Sequence, residues 1–252
     1  DLHSFPTRRS SDLAAREALY GELARDNETR FANLGDLKAE VRVDASRPKP
    51  ISDMLMGIFF EDINYSADGG LNAQLIQNGD FEYDPHDRMG DKNWNQLTAW
   101  KVFGDCLQVS TDVEGVSPNN RHAVALTLTG GRYGYFQNTG WDGIAVKARE
   151  KYNLSMFVKG GKVKGSLMDG EFMMATKTVG SGKKEWKEVK AVLVPSTNCD
   201  KALLQIQPVK ENETVCIDMV SLVPQDTYKG HGLRRDLTET LEALHPRFMR
   251  FP

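Results

Sequence analysis

The sequence predicts a mainly β fold, a jelly-roll β-sandwich inserted into the opening strand, helix and strand of a parallel barrel, and three observations carry that reading. Between about Asn78 and Pro224 the chain runs as eight or nine short alternating stretches broken by Gly, Asn, Asp and Pro, with hardly any helical period. That pattern belongs to an antiparallel sandwich or jelly roll. Just before it, Met54 to Asn64 is a near-continuous apolar run closing on two acids and an amide, as a strand buried on both faces of a parallel sheet reads. Just after it, Leu233, Leu237, Leu241 and Leu244 make one stripe of an amphipathic helix that Pro246 ends, and RFMRFP at 247–252 reads as a second strand.

Taken from the N-terminus, DLHSFPTRRSSDL at 1–13 shows no periodicity and lacks the apolar stretch of a secretory signal. It resembles a translated sequencing adapter and is set apart from the fold, a disordered basic tail being the alternative. Residues 14–37 are expected to form a helical linker or remnant, with Ala15, Leu19 and Leu23 on one stripe. Residues 38–77 hold a half-buried strand at Lys38 to Ala45, where Val41 and Val43 alternate with Glu40, Arg42 and Asp44, followed by the first barrel strand. Residues 78–224 are the sandwich, with strands expected at His122 to Thr129, Tyr152 to Val158, Trp186 to Val194, Lys201 to Gln207 and Thr214 to Leu222. Residues 225–252 supply the first barrel helix and the start of the second barrel strand. Two strands and a helix cannot bury their apolar faces alone, so Phe59, Phe60 and Phe251 are expected to stay exposed unless they pack on the sandwich.

Composition narrows the function. The chain has 252 residues, 40% apolar and 27% charged, with a formal net charge of −3. Its cations are scattered, so no field gathers phosphate backbones and nucleic acid is excluded as an expected partner. No apolar run approaches the roughly 20 residues that span a bilayer. Cys106, Cys199 and Cys216 have neither CxxC spacing nor a His partner at metal-site spacing, which argues for small buried side chains, with a Cys199–Cys216 bridge as the alternative. Oligomeric state is not legible in the pattern.

At Gly57 to Tyr83, GIFFEDINYSADGGLNAQLIQNGDFEY, the chain resembles the start of α-L-arabinofuranosidases of glycoside hydrolase family 51. The resemblance resumes after the insert in GHGLRRDLTETLEALHPRFMRFP, where that family proceeds to a Pro-Gly-Gly turn. The insert resembles carbohydrate-binding modules of families 4 and 9, with NGDFE at its start and CIDMVSL at its end. The resemblance implies a retaining hydrolase that releases terminal α-L-arabinofuranosyl groups from polysaccharides such as arabinan or arabinoxylan. It also implies a (β/α)8 barrel, here incomplete, and a secreted, periplasmic or cell-surface location. Retention uses two glutamates about 5 to 5.5 Å apart, a nucleophile and an acid/base. Both are expected beyond Pro252, and no cofactor is required for the chemistry.

Carried over residue by residue, the resemblance places Glu61 in the glycone subsite, its carboxylate hydrogen-bonding arabinose hydroxyls. A strand-end ion pair is the alternative. Asp62 and Asn64 are lesser candidates, Asn64 being expected to cap or support the loop after the strand, and Gly69-Gly70 is expected to make a tight turn rather than contact ligand. Glu82 and Asp218 match positions where related modules hold a structural calcium, pinning the two ends of the domain together, unless they are merely exposed edge acids. Tyr133, Tyr135, Phe136 and Trp141, with the amide Asn138 among them, suit a sugar-binding surface, since flat rings stack on sugar rings while amides bond hydroxyls. Aromatic core is the competing account. The rival to the enzyme is a non-catalytic, carbohydrate-binding sandwich, and a spacer domain is the third reading.

Overall fold

The computed structural model describes residues 8–32, 38–63, 65–130, 133–180 and 182–251. It divides into two compact units, Asp1–Ile51 and Ser52–Pro252. The first unit contains helix α1 (Arg8–Phe31), which begins before the periodic stretch and takes in part of the segment set apart above. A helix, once nucleated, propagates through residues of ordinary propensity whether or not they carry an apolar stripe. Beyond it, the strand expected at Lys38 to Ala45 does not form: the segment joins no ladder, and Val41 and Val43 are 83% and 85% exposed. Alternation makes a strand only where a neighbouring strand takes up the backbone hydrogen bonds, and among the described residues none does.

In the second unit, β1 (Gly57–Phe59) pairs in parallel with β15 (Phe248–Arg250) in the register Gly57↔Phe248. Gly57 leaves room for the Phe248 ring, since a Cβ there would stand 2.3 Å from it and force the ring to move. The apolar run around β1 is less regular and less buried than its composition predicts. A 3-10 turn at Asp53–Leu55 precedes the strand, with the Ser52 hydroxyl accepting from Met54 N at 3.2 Å. Met54, Leu55, Met56 and Phe59 are exposed. A parallel strand is buried on both faces only when strands flank it and helices cover it; among the described residues β1 has one neighbour. Phe60 and Phe251 meet edge to face, with centroids 6.0 Å apart. Helix α2 (Arg235–Ala243) precedes β15, so the strand, helix and parallel strand read from the sequence are present in order.

The remainder is two antiparallel sheets. One orders β11 (Phe172–Gly180), β10 (Lys162–Asp169), β13 (Cys199–Pro208), β7 (Tyr135–Asn138) and β2 (Trp100–Phe103), with β8 (Ile144–Val146) also on β13. The other orders β12 (Lys187–Leu193), β9 (Tyr152–Lys159), β14 (Thr214–Pro224), β6 (Val124–Leu128) and β3 (Leu107–Ser110). A small hairpin joins β4 (Glu114–Ser117) to β5 (Asn120–His122). The core lies between the sheets because alternate residues point inward. Leu154, Met156 and Val158 on β9 face Leu204 and Ile206 on β13, all fully buried or nearly so. Each such side chain contributes about 1.5–3 kcal/mol by leaving water. An aromatic stack closes one end: Trp100 lies 4.5 Å from Phe136 and 5.3 Å from Phe81, and its indole N–H donates to Asn78 O at 2.8 Å. The three cysteines are free thiols of intermediate exposure, which replaces both the buried reading and the bridge. Cys199 and Cys216 lie in different sheets.

Candidate functional site

Three places in the second unit bear on function. The first is the C-terminal end of β1, where Glu61 follows the strand. Its backbone is held from several sides. Phe60 N donates to Arg250 O at 2.9 Å, Ile63 N donates to Glu61 O at 2.8 Å, and the Ser66 hydroxyl donates to the same Glu61 oxygen. The far end of the loop is tied to the segment entering α2 by Ala73 N to Gly232 O at 2.9 Å and Arg234 N to Leu71 O at 2.8 Å. The Glu61 residue is half-buried, and among the described residues no side chain pairs with its carboxylate. Asp62 accepts from Ala67 N at 2.9 Å, which closes the loop; Asn64 lies outside the described residues. Gly69 takes φ 86°, and a Cβ there would come within 2.5 Å of the Trp141 ring, so this glycine lies flat against an indole.

The second place is a groove of about 670 Å³ on the outer face of the sheet that contains β7 and β13. Tyr133, Tyr135 and Phe103 line it with Gln137 and Gln205, and Gln205 Nε2 donates to Gln137 Oε1 at 3.0 Å. Alternation along β7 separates the five residues expected to act together, and Phe136 is a core side chain stacked on Trp100 rather than part of a sugar surface. Tyr135 and Gln137 point to the groove, while Asn138 points the other way and is fully buried. The Asn138 amide serves backbone groups, donating to Gln77 O at 2.9 Å and accepting from Gly140 N at 2.8 Å. Trp141 lies away from the groove: its indole N–H donates to Gln74 O at 3.2 Å and its ring packs 4.9 Å from Tyr65.

The third place brings Glu82 and Asp218 together around β5. Glu82 accepts from His122 N and faces His122 Nδ1, both at 2.7 Å. Asp218 is fully buried and accepts from Val116 N at 2.9 Å, Met219 N at 2.6 Å and Asn120 Nδ2 at 2.9 Å. Burial pushes the Asp218 carboxyl up to about 6 against these hydrogen bonds, and the Glu82 charge adds to the rise. Asn120 Nδ2, with two hydrogens, faces both Asp218 oxygens and the main-chain oxygens of Asp80 and His122 at 3.4 and 3.3 Å. The Asp218 carboxylate and the main-chain oxygens of Asp80 and His122 are hard oxygen atoms, the ligand type calcium takes. Among the described residues no group of three or more His, Cys, Asp or Glu side chains is placed to hold a metal, so main-chain oxygens would have to complete any site.

Compared with curated proteins, the chain is 35% identical over 214 residues to an extracellular exo-α-L-arabinofuranosidase of Streptomyces chartreusis, a match covering 82% of this chain. Over about four fifths of its length the chain is homologous to α-L-arabinofuranosidases. A second relative, α-L-arabinofuranosidase 1 of Arabidopsis thaliana, is 30% identical over 231 residues and 84% of this chain. Among solved structures, an arabinose-bound GH51 α-L-arabinofuranosidase superposes with a TM-score of 0.67 at 27% identity, covering 79% of this chain and 34% of that one. No family model matches. The chain spans 25% of the length of the Streptomyces arabinofuranosidase and 33% of the Arabidopsis one. Gln137 and Gln205 were missed by the sequence reading because their common side of the sheet depends on which strands are neighbours. Arg88, which contacts Tyr65 in the loop after Glu61, and Trp94, which contacts Arg88, were missed because they lie in a turn-rich stretch without periodicity.

Proposed function

We propose that the protein to which this chain belongs is a retaining glycoside hydrolase that releases terminal α-L-arabinofuranosyl residues from plant polysaccharides such as arabinan or arabinoxylan. It would act outside the cytoplasm. The observation that carries this is Glu61: in a homologue of arabinofuranosidases, a half-buried carboxylate that has no partner among the described residues stands at the C-terminal end of a parallel strand. That end of a parallel barrel is where substrate is handled. A carboxylate there accepts hydrogen bonds from sugar hydroxyls, and charge-assisted bonds orient the ring. The acid/base and nucleophile are assigned to the remaining length of the protein. The 252-residue chain should therefore fail to cleave an aryl α-L-arabinofuranoside, and turnover by it would show the catalytic pair to be misplaced. In the longer enzyme, Glu61→Ala should lower kcat/KM by about 10²-fold or more; near-native kinetics would refute the role of Glu61.

A second reading is supported by the groove. Exposed Tyr133, with Tyr135, Phe103 and a hydrogen-bonded glutamine pair, offers stacking faces beside amides on one sheet face. This suits a neutral glycan, and the sandwich would then hold the polymer near the enzyme. A structural calcium held by Glu82 and Asp218, with main-chain oxygens of Asp80 and His122, would neutralise two adjacent acids and tie the two ends of the sandwich together.

A further inference from the structure

The loop that carries the chain away from Glu61 is gripped by the sandwich. Tyr65 lies against Trp141 on one side and under the Arg88 guanidinium, 4.9 Å from the ring centroid, on another. Arg88 also donates to the Tyr65 hydroxyl and lies 4.3 Å from the Trp94 ring centroid. Trp94 in turn stacks on Tyr83 at 4.5 Å with 15° between the planes. The next residue, Ser66, donates from its hydroxyl to the main-chain oxygen of Glu61. Contacts thus run without a break from Trp94 through Arg88, Tyr65 and Ser66 to Glu61.

Arg88 is not needed to close its own loop. Asp84 accepts from His86 N at 2.8 Å, Asp87 accepts from Asp84 N at 2.9 Å and Asp91 accepts from Asn93 N at 3.0 Å, while backbone turns join Asp87 to Asp84 and Trp94 to Asp91. These bonds shape the stretch from Asp84 to Trp94 without the guanidinium. The planar Arg88 group is instead shared between two rings, one from the sandwich and one from the loop behind Glu61, an arrangement that lysine cannot reproduce.

We infer that Arg88 is a positioning residue for Glu61: the inserted sandwich sets the sugar-binding carboxylate through Arg88, Tyr65 and Ser66. The inference rests on the glycone-binding role of Glu61 given above. A displacement of about 1 Å at such a group is enough to change rates by about 10²-fold, so a partial loosening is expected to cost less.

The test is made in the longer enzyme, with arabinose as a competitive probe and an aryl arabinofuranoside as substrate. Arg88→Ala should weaken arabinose inhibition and lower kcat/KM about 10-fold each, with Arg88→Lys recovering little. Ser66→Ala should give a like loss that Ser66→Thr restores, because threonine keeps the hydroxyl. Glu61→Gln combined with Arg88→Ala should bind arabinose no worse than Glu61→Gln alone, since coupled residues are non-additive. A purely structural Arg88 would lower Tm while arabinose affinity stayed native, or its loss would add to that of Glu61→Gln; either result overturns the inference while leaving Glu61 in place. If Glu61→Gln itself leaves arabinose affinity unchanged, the reading of Glu61 fails and the inference falls with it.

Discussion

On β7, Gln137 and Asn138 are adjacent amides with opposite tasks. Successive side chains of a strand point to opposite faces, so Gln137 is carried to the groove and Asn138 to the interior. Their variants should differ in glycan binding. Tyr133→Ala should weaken oligosaccharide binding about 10-fold, equivalent to about 1.4 kcal/mol, in isothermal titration, with Tm nearly unchanged, because Tyr133 is exposed; Gln137→Ala should weaken binding to a like extent and also lower Tm, because Gln137 is buried and accepts from Gln205. Asn138→Ala leaves Gln77 O and Gly140 N without their side-chain partner, which costs roughly 1–3 kcal/mol, and should lower Tm while glycan affinity per folded molecule stays native. The opposite pattern would exchange the two roles. The carboxylate of Glu61 was legible as a candidate because an acid closing an apolar run is costly without a partner. The part played by Asn138 was not, since nothing in GGRYGYFQNTGWDG says which side of the strand faces the core.

Most elements of the sandwich were legible one by one. The stretches expected at Tyr152 to Val158, Lys201 to Gln207 and Thr214 to Leu222 are β9, β13 and β14, because an antiparallel strand buried on one face writes its period into the chain. Leu204, fully buried on β13 between the sheets, gives this a measurable weight: Leu204→Ala should cost about 2–5 kcal/mol in denaturant unfolding. A loss below 1 kcal/mol would mean the sheets are not packed there as described. Elements whose partners come from elsewhere were less legible. Val41 and Val43 alternate but have no ladder, and the run from Met54 to Asn64 shrinks to β1. At β1, Gly57 gives the Phe248 ring room to lie over the strand. Gly57→Val should therefore separate β1 from β15 and expose Arg247 N and Phe60 N to rapid amide exchange, since they bond across that pair; protection retained at both amides would contradict the pairing.

At the scale of the molecule, two ends of the sandwich sequence meet at one point, Glu82 near its start and Asp218 on β14. Asp218 is buried and held up to about 6, a position that a divalent cation would relieve. Calcium should raise Tm, and chelation should reverse the rise. Asp218→Asn should abolish the response; a Tm indifferent to calcium in the unmodified protein would remove the ion from this site. The sequence by itself determined the resemblance to arabinofuranosidases and the mainly β architecture, because long motifs and the period of buried strands are local properties of the chain. Only the tertiary structure decided which side chains share a site. The groove unites Tyr133 and Tyr135 with Gln205 from β13, Trp141 joins the loop behind Glu61 rather than the groove, and Arg88 reaches Tyr65 from a stretch without pattern. Sheet order and side-chain direction set those meetings, and both come from pairing between segments far apart in sequence.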